Sequence, residues 1–283
     1  MSFKQNISSK LAEHIAQLGL SQTKVAAKIG GISPATVNSI VNFKWMEQDG
    51  LVSDAMWQNV ANYLGEGNEW ITVEIRNFKA INRIAHDCQT KGIARAIAGE
   101  PGRCKSEALR SYASRNQNTF YIECDEHWTK KHFLNKLRQA MGLPIEQQSI
   151  GDIMEEILQH LNKLRKPIII IDEVDKLQDK WVGFFITLYN KAKSCGFMLS
   201  GSVFFEKNFL KGVRLNKRGY CEAYSRFGKE FIAIKPVDAE SVRAICETNG
   251  LTDDMKIKEV INSCDGDLRR VNRMVTDFKM MQK

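Results

Sequence analysis

The chain has 283 residues, 43% hydrophobic and 26% charged, which is the profile of a soluble globular protein with room for one large domain and an appendage, or for two to three modest ones. No apolar run approaches a membrane span, Met1-Ser-Phe-Lys-Gln-Asn6 lacks the apolar core of a signal peptide, and the seven cysteines show neither a C-x-x-C pair nor a zinc spacing. These features predict a cytoplasmic protein with reduced thiols, no membrane partner and no metal beyond one carried by a nucleotide, while the net charge of +8 favours a polyanionic partner.

Residues 7–65 read as a small helical bundle. Leu11 and Ile15, with Leu18 or Leu20, mark one face of a first helix. Ser21 caps a second, Gln22 to Lys28, which Gly30-Gly31 ends. Ser33 then caps a third with Pro34 in its first position, running to Val41 with Val37 and Ile40 inward. A fourth, Asp54 to Leu64, carries Met56, Trp57, Val60 and Leu64 on one side. Two short helices about a glycine turn make a helix-turn-helix, and Ser21 to Val41 resembles the phage-repressor class of that motif with one extra glycine in the turn. The second of these helices offers Thr36, Asn38 and Ser39 to DNA, with Asn42 and Lys44 beyond. Without arginine it has no strong guanine reader, so residues 1–65 are expected to bind DNA weakly and with little sequence choice. Trp45 and Trp57 read as packing for so small a bundle.

Residues 66–90 connect this unit to the rest, with Gly65-Glu-Gly-Asn68 as the hinge and a helix from Val73 to Ala85 carrying Ile75, Phe78, Ile81 and Ile84. From Ile93 onward strands and helices alternate, the pattern of a parallel α/β sheet. Strands are predicted at 93–98, 119–124, 167–172, 196–201 and 230–234, with helices near 105–116, 129–141, 150–165 and 179–193. After Pro236 the helices 238–248, 256–264 and 267–281 form a C-terminal lid. The domain boundaries that follow are 1–65, 66–90, 91–236 and 237–283.

Two stretches of the α/β region carry chemistry. Gly99-Glu100-Pro101-Gly102-Arg103-Cys104-Lys105-Ser106 follows a strand and opens a helix, where backbone N–H groups and the helix N-terminus cradle anions. Gly99, Lys105 and Ser106 match the phosphate-loop pattern. Lys105 would reach the β- and γ-phosphates of ATP, and the Ser106 hydroxyl would ligate Mg²⁺. Cys104 stands where that pattern has glycine, so its side chain crowds the phosphates or strains the backbone if φ is positive there. Some sixty residues on, Ile168-Ile-Ile-Ile-Asp172-Glu173 reads as a strand buried on both faces and ending in paired acids. Asp172 would hold Mg²⁺ and Glu173 would activate the attacking water. A strand, Thr119 to Cys124, stands in the chain between loop and acids, as in AAA+ and RecA-like ATPases.

With these parts in order, the whole chain resembles the Mu B-type transposition protein, the AAA+ target-selection ATPase of phage Mu and related mobile elements. The local matches are Gly-Glu-Pro-Gly…Lys-Ser, Ile-Ile-Asp-Glu-Val-Asp-Lys-Leu, Met198-Leu-Ser-Gly-Ser202, Tyr224-Ser-Arg-Phe227 and Gly266-Asp-Leu-Arg269. The resemblance implies an AAA+ P-loop core with a helical lid behind an all-α helix-turn-helix domain. It implies that Ser202, where the family often has asparagine, is the sensor near the γ-phosphate. By the same resemblance Arg226 is the arginine finger toward a neighbouring subunit, with Arg218 a competing candidate, and Arg269 is the second sensor from the lid. It also implies DNA-stimulated hydrolysis of ATP, assembly into a helical homo-oligomeric filament on double-stranded DNA, and delivery of that DNA to a DDE-type transposase.

In such a filament Lys130 and Lys131, after Thr129, and the denser set Lys207, Lys211, Arg214 and Lys217 with Arg218 would touch phosphates without reading sequence. A solvated charge run is the plainer alternative for the second set. Two other functions fit the same parts: a helix-turn-helix transcription regulator that uses ATP as a switch, and a helicase-loader or replication-initiator ATPase.

Overall fold

A computed structural model describes residues 3–30, 32–47, 50–64, 70–177 and 179–280 and divides the chain into two compact units, residues 1–73 with 238–283, and residues 74–237. Gly31 and the Gly65 to Asn68 hinge lie outside the described residues.

The first unit begins with α1 (Phe3–Leu18), α2 (Gln22–Ile29), α3 (Pro34–Val41), a 3-10 turn (Lys44–Met46) and α4 (Asp54–Tyr63). Their starts follow side-chain chemistry: Ser21, Ser33 and Ser53 accept backbone N–H bonds from Lys24, Thr36 and Met56. Ile7, Leu11, Val25, Val37, Ile40, Trp57 and Val60 fill the core. Leu20 packs against it and Leu18 is 56% exposed, because the chain reverses at Gly19 after the last helical residue. Trp45 meets Trp57 edge-on at 5.1 Å and donates to Ser8 Oγ at 3.0 Å, the packing role expected of both rings.

The second unit runs α5 (Arg76–Lys91), β1 (Ala94–Ala98), α6 (Lys105–Arg115), β2 (Thr119–Glu123), α7 (Lys130–Ala140), α8 (Ile150–Lys163), β3 (Ile168–Asp172), a 3-10 turn (Val174–Leu177), α9 (Lys180–Lys191), β4 (Gly196–Gly201), α10 (Val203–Arg214), α11 (Tyr220–Arg226) and β5 (Phe231–Ala233). The chain then returns to the first unit with α12 (Ala239–Thr248), α13 (Asp254–Ser263) and α14 (Leu268–Met280). All five predicted strands are present.

Three features depart from expectation. The helix expected from Val73 starts at Arg76 and continues to Lys91, since Ala85, Cys88 and Gln89 extend its buried face, while Ile84 is half-buried. Helices α10 and α11 were not expected. The basic residues of α10 share the helix with a buried i, i+4 pair, Phe205 and Phe209. That pair belongs to an aromatic cluster with Tyr220, Phe227 and Phe231 that forms only when the helices fold onto the sheet. Finally, the strand that intervenes in the chain between loop and acids, β2, sits at the sheet edge, and β4 is the strand interposed in space.

The sheet is parallel at every pairing, in the order β2-β3-β4-β1-β5. Every residue of β3 is buried, as its isoleucine run requires for a strand covered on both faces. Among the described residues no helix is long and apolar enough to cross a membrane.

A Cβ on Gly196 would lie 2.3 Å from the carbonyl oxygen of Cys88, so α5 crosses β4 at glycine contact. Gly196→Ala should therefore cost about 1–3 kcal/mol of stability, read as a lower urea midpoint with an unchanged slope. Burial pushes the Cys88 and Cys195 thiols up to about 12 from an ordinary 9.0. The unfolded chain loses these protons above pH 9 and the folded one keeps them, so stability should fall by about 1.4 kcal/mol per pH unit for each thiol between those limits. Replacing both by alanine should make the decline in denaturant melts from pH 8.5 to 10.5 shallower, the rest coming from the other buried thiols, Cys104, Cys124 and Cys246.

Candidate active site

Strand β1 delivers Gly99 into a tight approach, where a Cβ would stand 3.1 Å from the Ile234 side chain just after β5. Glu100 and Pro101 are exposed, Arg103 is half-buried, and Gly102 takes φ 74°. Cys104 follows with φ 71° and ψ 6°, and α6 starts at Lys105. Two left-handed residues at a helix start make the backbone bend of an anion nest. The Lys105 ammonium is wrapped by it, donating to the carbonyls of Gly99 at 2.7 Å and Glu100 at 2.9 Å. Ser106 lies in the first turn of α6. The strain expected at Cys104 is present, since a non-glycine residue in this region costs about 1–2 kcal/mol. Burial, then the Glu107 carboxylate, pushes its thiol up to about 12, so it stays neutral.

At the end of β3, Asp172 is fully buried. Its Oδ1 accepts the Glu173 backbone N–H at 3.0 Å and its Oδ2 accepts the Tyr121 hydroxyl at 3.1 Å. Glu173 is also left-handed, at φ 52°, and its carboxylate pairs with Lys176. That bond holds the Lys176 ammonium above its ordinary value. Ser202 caps α10 by accepting the Phe204 N–H at 3.1 Å and donates its hydroxyl to Asp175 Oδ2 at 2.6 Å.

Sequence reasoning missed three of these residues: Tyr121, Asp175 as the partner of Ser202, and Ser200. Ser200 is fully buried on β4, in register with Ile97 of β1, and its hydroxyl finds no hydrogen-bond partner among the described residues. Only Tyr121 left a trace, as a polar-tipped residue two places before the end of a strand. Burial, then the Asp172 and Glu123 carboxylates, pushes its phenol far up, so it stays a donor.

Ser106 and Asp172 offer the hard oxygen donors that suit Mg²⁺. Among the described residues no three His, Cys, Asp or Glu side chains gather to hold a metal alone. A hydroxyl and one carboxylate fit an ion whose remaining ligands are phosphates and water.

The remaining candidates disperse. Arg226 ends α11, donating to Asn190 Oδ1 at 3.1 Å and Glu222 Oε1 at 3.2 Å and lying 5.9 Å over the Tyr189 ring. Arg218 is exposed between α10 and α11. Arg269 stands in the other unit, in the first turn of α14. Lys130 and Lys131 are exposed in the first turn of α7, behind its cap Thr129. Lys207, Lys211 and Arg214 are exposed on one face of α10, at i, i+4 and i+7, with Lys207 5.6 Å over the Phe204 ring. Lys217 pairs with Asp179 at 3.0 Å. Thr36, Asn38 and Ser39 are half-buried on α3 and bonded locally: Thr36 to Ser33, Asn38 to Asn42 and Gln22, Ser39 to the Ala35 carbonyl.

Cys104→Gly should relieve the left-handed strain. We expect the second unit to gain about 1 kcal/mol, less the entropy glycine loses on folding, measured by denaturant melts with and without nucleotide. A loss of stability would mean that the thiol's packing outweighs its backbone strain.

Residues 89–209 match the family described as AAA domain. Among solved structures the chain is similar to Cdc6p from Pyrobaculum aerophilum, with a TM-score of 0.52 and 13% identity over 74% of this chain and 61% of that one. It is also similar to a chain of the Drosophila ORC bound to DNA, with a TM-score of 0.50 and 14% identity over 80% of this chain and 60% of that one. It thus spans about three-fifths of the length of either. No curated protein matches it in sequence. Residues 89–209 thus match the AAA domain family, and the sheet that carries them has the AAA+ P-loop ATPase fold.

Proposed function

We propose that the protein hydrolyses Mg·ATP, assembles on double-stranded DNA as a homo-oligomeric filament, and presents the captured DNA to a DDE-type transposase. The observation that carries the nucleotide reading is the left-handed bend at Gly102 and Cys104 leading into Lys105 and Ser106, with the buried carboxylate of Asp172 two strands away. The loop N–H groups and Lys105 would hold the phosphates. Ser106 and Asp172 would hold Mg²⁺, which when bound neutralises charge on the phosphates. Glu173 would orient water after leaving Lys176, and Ser202 would sense the γ-phosphate from the start of α10. Arg226 or Arg218 would complete a neighbour's site, and Arg269 would act from the lid.

DNA binding rests on the exposed cations of α10, with Lys130 and Lys131, and on the net charge of +8. Because Thr36, Asn38 and Ser39 are bonded to their own helix and its neighbour, α3 would add little sequence choice. Similarity to Cdc6p and to an ORC bound to DNA favours a second reading, an initiator or helicase-loader ATPase.

Lys105→Ala should abolish ATP binding in calorimetry. Glu173→Gln should bind ATP yet turn over about a hundredfold or more slowly, leaving DNA complexes that persist. On random DNA, electron microscopy should show helical filaments with triphosphate and none with ADP. Filaments that stimulate transposase strand transfer support the main reading. ATP-dependent delivery of a hexameric helicase, with no effect on strand transfer, supports the second. A dimer on one operator without turnover overturns both.

A further inference from the structure

We propose that Tyr121 is a positioning residue for the metal-holding carboxylate of Asp172, and that Arg110, by engaging the competing carboxylate of Glu123, leaves the Tyr121 proton for Asp172. The inference rests on the nucleotide-site reading above and adds residues outside the phosphate loop and the acid pair.

The Tyr121 oxygen stands 3.1 Å from Asp172 Oδ2 and 3.3 Å from Glu123 Oε2. It has one proton and two carboxylates to choose from. Arg110 decides between them. Its Nη2 donates to the same Glu123 Oε2 at 2.6 Å, and its guanidinium lies 6.0 Å over the Tyr121 ring. A carboxylate oxygen already holding a charged donor is the weaker acceptor for a neutral hydroxyl, so the Tyr121 proton is left for Asp172.

Asp172 needs that bond. It is fully buried, without bulk water to hold its plane. The Glu173 N–H pins one oxygen and Tyr121 pins the other, so the carboxylate cannot rotate, and each oxygen keeps a lone pair for a cation. Register places the parts: Glu123 pairs with Asp172 across β2 and β3, and Tyr121, two residues earlier, shares their face. Arg110 comes from α6, the helix that starts at Lys105, so the helix holding the phosphate loop is braced to β2, the neighbour of the strand that carries Asp172.

The test uses the full chain carrying Glu173→Gln, in which turnover is blocked, with ATP and Mn²⁺ as the probe, read by electron paramagnetic resonance. Adding Tyr121→Phe should weaken Mn²⁺ binding about tenfold, within the 10–100-fold range for groups that orient a metal ligand. Metal-free ATP affinity should stay unchanged, and the protein should remain folded at the assay temperature. Adding Glu123→Gln instead should leave Mn²⁺ affinity intact, since it takes the charge from the competing acceptor and leaves the Tyr121 proton to Asp172. Unchanged Mn²⁺ affinity in Tyr121→Phe overturns the proposal, as does an equal loss in Glu123→Gln, which would reflect disturbance of the sheet edge. If the parent protein binds ATP but takes up no Mn²⁺ with it, the metal site itself is wrong and both readings fall.

Discussion

One strand separates β1 from β3, and the candidate chemistry depends on that separation. Parallel strands put all their following loops at one edge of the sheet. With β4 between them, the loop after β1 and the acids after β3 stand two strand spacings apart, about 10 Å. That distance leaves room for a phosphate chain and a hydrated ion between Lys105 and Asp172. The isoleucines of β3 fit it for its place inside the sheet, where both faces are covered.

Two of the nine left-handed non-glycine residues among the described residues flank this gap. Cys104 and Glu173 are left-handed without being glycine. Such residues persist where surrounding structure over-determines them, and they cluster at sites that need a fixed geometry. Here the determinants are visible. Cys104 is bound between β1 and α6, with its carbonyl accepting the Ala108 N–H, and the Glu173 N–H is held by its neighbour Asp172. The polar groups nearby are similarly engaged, Ser202 with Asp175 and Tyr121 with Asp172. Ser200 is the exception, a buried hydroxyl left without a partner among the described residues.

The basic character of the chain has a structural address as well. Lys207, Lys211 and Arg214 project from one face of α10, while the opposite face buries Phe205 and Phe209. A helix so divided is anchored by aromatic packing and free to meet a polyanion with its charges. In contrast, the polar residues of α3 spend their hydrogen bonds on one another. On the proposed function, that division would give affinity for DNA without much choice of sequence.

Much of this was legible in the residues alone. Helices α2 and α3, the five strands and the bend before Lys105 were readable because their signals are local: serine caps, a proline at the first helical position, a run of isoleucines, glycines ahead of Lys105-Ser106. The strain at Cys104 was legible only as a condition, since a residue in the place of glycine is strained if φ is positive, and the φ of 71° meets that condition. Tertiary structure decided what depends on partners distant in the chain. It alone placed β4 rather than β2 between loop and acids, folded the basic run 203–214 into a helix on an aromatic cluster, tied Ser202 to Asp175, and brought Tyr121 to Asp172 from 51 residues away. Caps and periodicities are written over a few residues, but strand order and side-chain pairing across a sheet are set by which surfaces bury each other, and no single segment encodes that.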